Sequence, residues 1–304
     1  MTRTADTEFV GRFREPPYFE DLSERSAVKL SSMLRLTGRP HYTLWAQEIG
    51  GAHFKERTGQ FFPIYYLDVE VTDVPIESRE PVDVDVRIRL GKHLDAAGRV
   101  ERLISEAWTE VSGSAADGRR LRIGGTHKQA IFTRPDAPPG ERRVVVLHPS
   151  LGLGDLPERI IRPFTVDDVM APPAGGGAGE EFEDCEAHVW SYQQTDPNGH
   201  VHAMDYVRVM EAFATDELAR RGQSPRDRAF TRARVLFRRP CFTGQWYRRA
   251  FTRFSEDGGG EVLVGAIRPA AGPDDPPAPG PPAVAVQLYA KKSLPFPRHS
   301  DKGP

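Results

Sequence analysis

The stretch Trp190-Ser191-Tyr192-Gln193-Gln194-Thr195-Asp196-Pro197-Asn198-Gly199-His200-Val201-His202 decides how this chain is read. Ahead of it, Phe182 to Tyr192 is a half-apolar run with strand character. Behind it, Val201, Met204, Val207, Met210, Phe213, Ala214 and Leu218 recur at three- and four-residue steps, the spacing of one buried helix face. Gly222 then supplies the residue type that ends a helix with a left-handed turn. The order is strand, polar turn, buried helix. Asp196, Asn198, His200 and the amides of Gly199 and His200 fall where the turn is expected to become the helix N-terminus. Unpaired N–H groups and positive dipole potential collect at such a point. A polarised carbonyl oxygen would be stabilised there, beside an acid or a base.

Asp-Pro-Asn-Gly is a turn signal in its own right. Thr195, Asp196 or Asn198 alone reads as an N-cap. The combination goes further. A turn does not need His200 after its glycine, and a buried helix has little use for His200, His202, Asp205 and Glu211 in its first turns. Together they read as a site.

The run Thr195 to His202 with Tyr206 resembles the T-D-x-N-G-H-V-N-x-x-x-Y stretch that leads into the central helix of hotdog-fold thioesterases. The Asp-x-Asn-x-His spacing most resembles that of the acyl-carrier-protein thioesterases. The resemblance implies that Asp196, Asn198 and His200 are catalytic. It extends to Glu211, five residues after the tyrosine, and departs at His202, which stands where the family has asparagine. Arg238-Arg239-Pro240-Cys241 also resembles a family segment with a catalytic glutamate before a cysteine, but Pro240 takes the glutamate's place here.

With 304 residues the chain suits two units with real cores. A hydrophobic fraction of 38% and a mean hydropathy of −0.50 indicate a soluble protein. The net charge of −2 carries no nucleic-acid signature. Two cysteines, Cys185 and Cys241, form neither a disulfide framework nor a metal motif. No metal or cofactor is expected. Met1 to Asp6 is too polar for a signal peptide and no apolar run is long enough to span a membrane, so the cytoplasm is the expected compartment.

Within residues 1–25 a strand and a docked loop are expected. The spacing of Val28, Leu30, Met33 and Leu34 predicts a helix from Ala27 to Leu36, broken at Gly38 and Pro40, with a second piece from Tyr42 to Ile49. The period then falls to two. Phe61–Val71, Val82–Leu90, Val100–Val111 and Arg119–Phe132 read as strands. After a connector that ends in the linker-like Ala171–Gly179, the plan repeats: a helix near 200–221, then strands Ala229–Phe237, Gln245–Phe254, Glu261–Arg268 and Ala283–Lys292. The expected fold is α+β, a double hotdog: two tandem units, each a curled antiparallel sheet wrapped around a central helix. The expected boundaries are an N-terminal unit over 1–135, a connector over 136–181 and a C-terminal unit over 182–304. A chain with both halves would form the usual paired unit alone, as a monomeric pseudo-dimer, or go on to a homodimer.

From Arg220 to Phe254 arginines outnumber acids heavily, with only Asp227 opposing them locally. One reading is a solvated face. The other is a docking surface, with Arg234, Arg238 and Arg239 receiving the pantetheine arm of CoA or an acidic carrier protein. The acidic run Asp68 to Asp85 reads as a solvated face. His41, His53, His127 and His148 read as structural when taken singly, and Cys241 as a buried thiol.

The expected reaction is hydrolysis of an acyl thioester of CoA or acyl carrier protein. Asp196 or His200 would activate water, Asn198 would hold that water or the other two side chains, and the amides of Gly199 and His200 would polarise the carbonyl. His202, Tyr206 and Glu211 are expected to support them. Dehydration, decarboxylation or acyl transfer on a carrier-bound polyketide intermediate, and non-catalytic acyl-thioester binding, are the alternatives.

Overall fold

The computed structural model describes residues 8–49, 53–77, 80–115, 117–153, 157–175, 177–196, 199–224, 227–256 and 259–292. Eleven strands form one antiparallel sheet. They are β1 (Phe9–Glu15), β2 (Ile64–Val71), β3 (Val82–Leu94), β4 (Val100–Ser114), β5 (Arg120–Ile131), β6 (Glu180–Glu183), β7 (His188–Val189), β8 (Arg228–Phe237), β9 (Trp246–Ser255), β10 (Glu261–Ala270) and β11 (Val284–Lys292). The spatial order is β1-β3-β4-β5-β2-β8-β11-β10-β9-β6, with β7 on β9. The expected double-hotdog plan is therefore present, each half contributing one run of strands to the continuous sheet and β2 with β8 joining the two runs.

Alternation explains both faces of the sheet. Val82, Val84, Val86, Ile88 and Leu90 of β3 are buried in the main core, and the residues between them carry charge. At the junction Leu67 pairs with Val235 and Val69 with Ala233, all buried on the inner face. Asp68, Arg232 and Arg234 point the other way. Arg232 donates through Nε to Asp68 Oδ1 at 2.8 Å, so an ion pair bridges the two halves. The acidic run resolves into cross-strand pairs, among them Asp85 with Arg12 and Glu70 with Arg122. Such exposed pairs orient strands more than they stabilise them.

Two long helices cover the inner face: α1 (Leu30–Glu48) and α4 (Ala203–Arg220), which lie against one another. The expected break at Gly38 and Pro40 does not occur, and α1 runs through both. Pro40 removes one backbone donor, but Met33, Leu36, Pro40, Leu44 and Trp45 are all buried along that helix. Burial of this face outweighs the local penalty. Short helices α2 (Phe54–Thr58) and α3 (Val166–Met170) complete the set. Phe164 and α3 of the connector pack on the sheet. They cover the outer face at the β2–β8 junction, where Phe164 stacks on Tyr66 with ring centroids 3.7 Å apart and Val169 is fully buried.

A fragment beginning near Glu180 would lose β2 from the edge of β8. It would also lose α1 from the inner face that Ala233 and Val235 help to form. Sedimentation should show it aggregated or dimeric. A soluble, monomeric fragment would mean that the halves are independent.

Candidate functional site

The Asp196 turn is built before the helix rather than on it. Asp196 N–H donates to the His200 carbonyl at 2.8 Å, and Gly199 N–H returns to the Asp196 carbonyl at 2.9 Å. Gly199 sits at φ 75°, a conformation that a glycine adopts without strain. His200 N–H donates to Asp196 Oδ1 at 3.3 Å. The amides of Gly199 and His200, expected at the helix N-terminus as carbonyl donors, are thus taken up inside the turn. The helix starts later, at Ala203, with His202 as its N-cap: His202 Nδ1 accepts from Met204 N–H at 3.2 Å. Asn198, with Pro197, lies outside the described residues.

The turn is held from two sides. Its base closes through His202 N–H to the Gln194 carbonyl at 2.8 Å. The segment after β8 grips it through Val201 N–H to the Cys241 carbonyl at 2.9 Å, and through a bridge between His200 and Phe242. The half-buried His200 imidazole meets the Phe242 ring edge-on at 5.1 Å. Tyr206, one turn into α4, accepts the Cys241 N–H at 3.1 Å and packs against Trp190. Tyr206 therefore positions the gripping segment. Cys241 lies beneath it, buried, its thiol pushed up by that burial. Pro240 and both preceding arginines are exposed.

Strand-like expectation between Phe182 and Tyr192 is only partly met. The chain pairs with β9 as β6, leaves it, returns as β7, and turns through Tyr192–Gln194. The departure is fixed by Asp184, a buried carboxylate held by Arg249 Nε at 2.8 Å and Nη2 at 2.9 Å.

Groups from the first half face the turn. Tyr42 on α1 has its phenol raised by burial of the hydroxyl and then by Asp196, although much of the residue remains exposed. His202 is lowered by desolvation of its ring, against the opposing pull of Asp205 and Asp196, and Arg208 and Lys128 add to the lowering. The imidazole that caps α4 is thereby kept neutral. Lys128 on β5 and His41 on α1 are each 4% exposed and stand behind this surface. His127, by contrast, faces outward, stacked on Trp108 and bonded to Glu106 at 2.8 Å. His148 and His53 are N-caps of short helical turns.

Glu211 does not join the turn. It lies at the α1–α4 contact and faces a cavity of about 260 Å³ lined also by Lys29, Ser31, Thr72 and Asp73. Desolvation raises its carboxyl to about 7. Among the described residues no group of three or more His, Cys, Asp or Glu is placed to hold a metal ion.

Half of the described arginines in the run are paired by carboxylates distant in sequence, Arg232 with Asp68 among them. Arg221 meets Glu180, Arg228 meets Glu261, Arg249 meets Asp184, and Arg253 meets Glu180. Arg234, expected in a docking surface, is instead half-buried on the outer face, donating to Tyr66 Oη at 3.2 Å and to Gln287. Strand alternation turns it away from the side of the motif. Arg238 and Arg239 remain exposed at the end of β8, close in sequence to Cys241.

No protein-family profile and no curated protein matches the sequence. Solved structures do match the fold over nearly the whole chain. A putative oleoyl thioesterase from Lactobacillus plantarum superposes with a TM-score of 0.60 at 12% identity, covering 96% of this chain and 98% of its own. The 12:0-ACP thioesterase from Umbellularia californica gives 0.58 at 11% identity, covering 93% and 94%. An acyl-ACP thioesterase from Bacteroides thetaiotaomicron gives 0.56 at 12%, covering 93% and 98%. At such identity the shared property is the double-hotdog fold.

The Glu211 carboxyl is raised above its unfolded value, so the folded state binds the extra proton. Its stabilising contribution is full below about 4.5 and is lost as pH rises through about 7. Thermal unfolding across this window should show Glu211→Gln gaining on wild type as pH rises. Parallel curves would mean the carboxyl is not desolvated.

Proposed function

We propose that the chain hydrolyses an acyl thioester, carried on CoA or on an acyl carrier protein, at the Asp196–His200 turn. The observation that carries this reading is the turn itself. An acid and an imidazole are locked on the same short loop, at the head of a buried helix, and face groups from the other half. The full-length likeness in fold to proteins described as acyl-ACP and oleoyl thioesterases supports it. Division into units over 1–135 and 182–304, joined by the connector 136–181, belongs to the same proposal.

The half-buried His200 ring accepts the proton of an attacking water. Asp196 stiffens the loop through its bond to the His200 amide and contributes negative charge near the imidazole. Asn198 completes the set by sequence. With the Gly199 and His200 amides engaged, the carbonyl oxygen is received by these amides only if substrate displaces Asp196 from them. The neutral His202 at the head of α4 is the alternative neighbour. Pro240, standing where a carboxylate would complete a hydrolase set, favours dehydration or decarboxylation as the second reading.

Incubation with acyl-CoA and acyl-carrier-protein thioesters distinguishes the outcomes: free thiol marks hydrolysis, mass change without thiol marks the second reading, and binding without change marks a non-catalytic module. His200→Ala and Asp196→Ala should each lower turnover by roughly 10²–10⁴. Near-normal turnover in both would move the chemistry elsewhere.

The anionic carrier is proposed to dock on Arg238 and Arg239. Replacing both by Glu should raise KM far more than it lowers kcat, because such contacts supply uniform binding. The effect should fade as salt screens exposed charge beyond ~10 Å at 0.1 M. An unchanged KM at low salt would leave the pair as solvated surface.

A further inference from the structure

Lys128 is a buried cation without a counter-charge. It stands on β5 between Leu67 and Ala107, its cross-strand neighbours, both in the inner core. It is 4% exposed and takes part in no hydrogen bond or ion pair among the described residues. The packed helix α1 presents His41 to the same region, also 4% exposed, with its Nδ1 buried and unpartnered. One turn further along α1, the buried Nε1 of Trp45 is unpartnered as well. Buried polar atoms in folded proteins are nearly always satisfied, and buried charges are paired or bind something. Three such groups in one region of the core call for a partner that the chain itself does not supply.

The surroundings indicate where that partner comes from. Lys128 acts electrostatically on His41 and also on His202, the cap of α4, and His202 in turn lies within reach of Asp196. His41 also stands beside Tyr42, ring centroids 5.3 Å apart, and Tyr42 is the first-half group that feels Asp196, so these unpaired groups lie on the side of the first half that faces the turn. An acyl group attached to a thioester held at that turn would extend toward them.

We propose that Lys128 and His41 form a subsite for a hydrogen-bond-accepting or anionic oxygen on the acyl group, so that the substrates are oxygenated acyl thioesters rather than plain saturated ones. This assignment rests on the thioester reading above. Desolvation lowers Lys128 to about 8 and, with Lys128, lowers His41 to about 3. Near neutral pH the subsite thus offers one ammonium and a neutral imidazole with a single N–H. A keto oxygen and a carboxylate are both suitable acceptors. A saturated chain would leave both groups unsatisfied, which is a stronger basis for discrimination than an extra methylene.

The test uses the full-length protein and acyl-pantetheine thioesters of equal chain length: one saturated, one 3-oxo, one ending in a carboxylate. Wild type should favour an oxygenated thioester over the saturated one by roughly 10-fold or more in kcat/KM, the worth of one charge-assisted hydrogen bond. The preferred member tells keto from carboxylate. Lys128→Met should bring that ratio close to one. A Tm at or above wild type would show that the variant is folded, since it removes an uncompensated buried charge. Equal kcat/KM for all three substrates in wild type overturns the assignment even if the variant fails to fold, and so does a ratio that survives Lys128→Met. If wild type releases no thiol from any of them, the hydrolase reading fails. The subsite is then judged by the Kd ratio of the corresponding non-hydrolysable acyl thioethers, with the same expected preference and the same overturning result.

Discussion

The antiparallel pairing of β2 with β8 is the constraint on which the rest of this structure depends. Each half contributes a curled sheet, and each sheet would otherwise end in a row of unpaired backbone groups. Zipping Leu67 to Val235 and Val69 to Ala233 removes both edges and merges two apolar faces into one. The outer face of the seam is closed separately, by the Asp68–Arg232 pair and by the connector's Phe164 and α3. Because the seam fixes the two sheets against each other, it also fixes α1 beside α4.

That neighbouring of helices brings groups of both halves around the Asp196 turn. The Asp196 turn has most of its hydrogen bonds within its own half, closed by its own backbone and gripped by Cys241 and Phe242. What it faces belongs to the other half: Tyr42 directly, with His41 and Lys128 behind. A residue such as Tyr206, which reads as part of a motif, serves by packing on Trp190 and accepting the Cys241 amide. It secures the loop rather than the chemistry.

Charge in this molecule is organised over long sequence distances. The arginines between Arg220 and Phe254 look unopposed when counted along the chain, and in space half of the described ones meet Glu180, Asp184, Glu261 or Asp68. Cross-strand neighbours in a sheet need not be sequence neighbours. Arg238 and Arg239 at the end of β8, beyond the last paired strand position, keep an open surface without a carboxylate partner among the described residues.

Local pattern by itself determined much of this protein. The two-residue period marked most of the principal strands, the three- and four-residue steps marked α4, and Gly222 marked its end, where the structure has it at φ 70°. The tandem helix-and-sheet plan follows from those periods because they report which face is buried. The motif turn was legible too, since Asp-Pro-Asn-Gly carries its own geometry. Other features required the tertiary structure. Pro40 stays inside α1 because packing of its face overrides the local penalty. Arg234 is kept from joining Arg238 and Arg239 because its strand face is turned to Tyr66. Lys128 was hidden because Ile123, next to Gly124 and Gly125, shifts the β4–β5 register, so both Ile123 and Lys128 point inward and parity along the strand no longer tells inside from outside. Periodicity is a property of one segment. Which buried cation lies behind which acidic turn is a property of two halves meeting, and only their packing decides it.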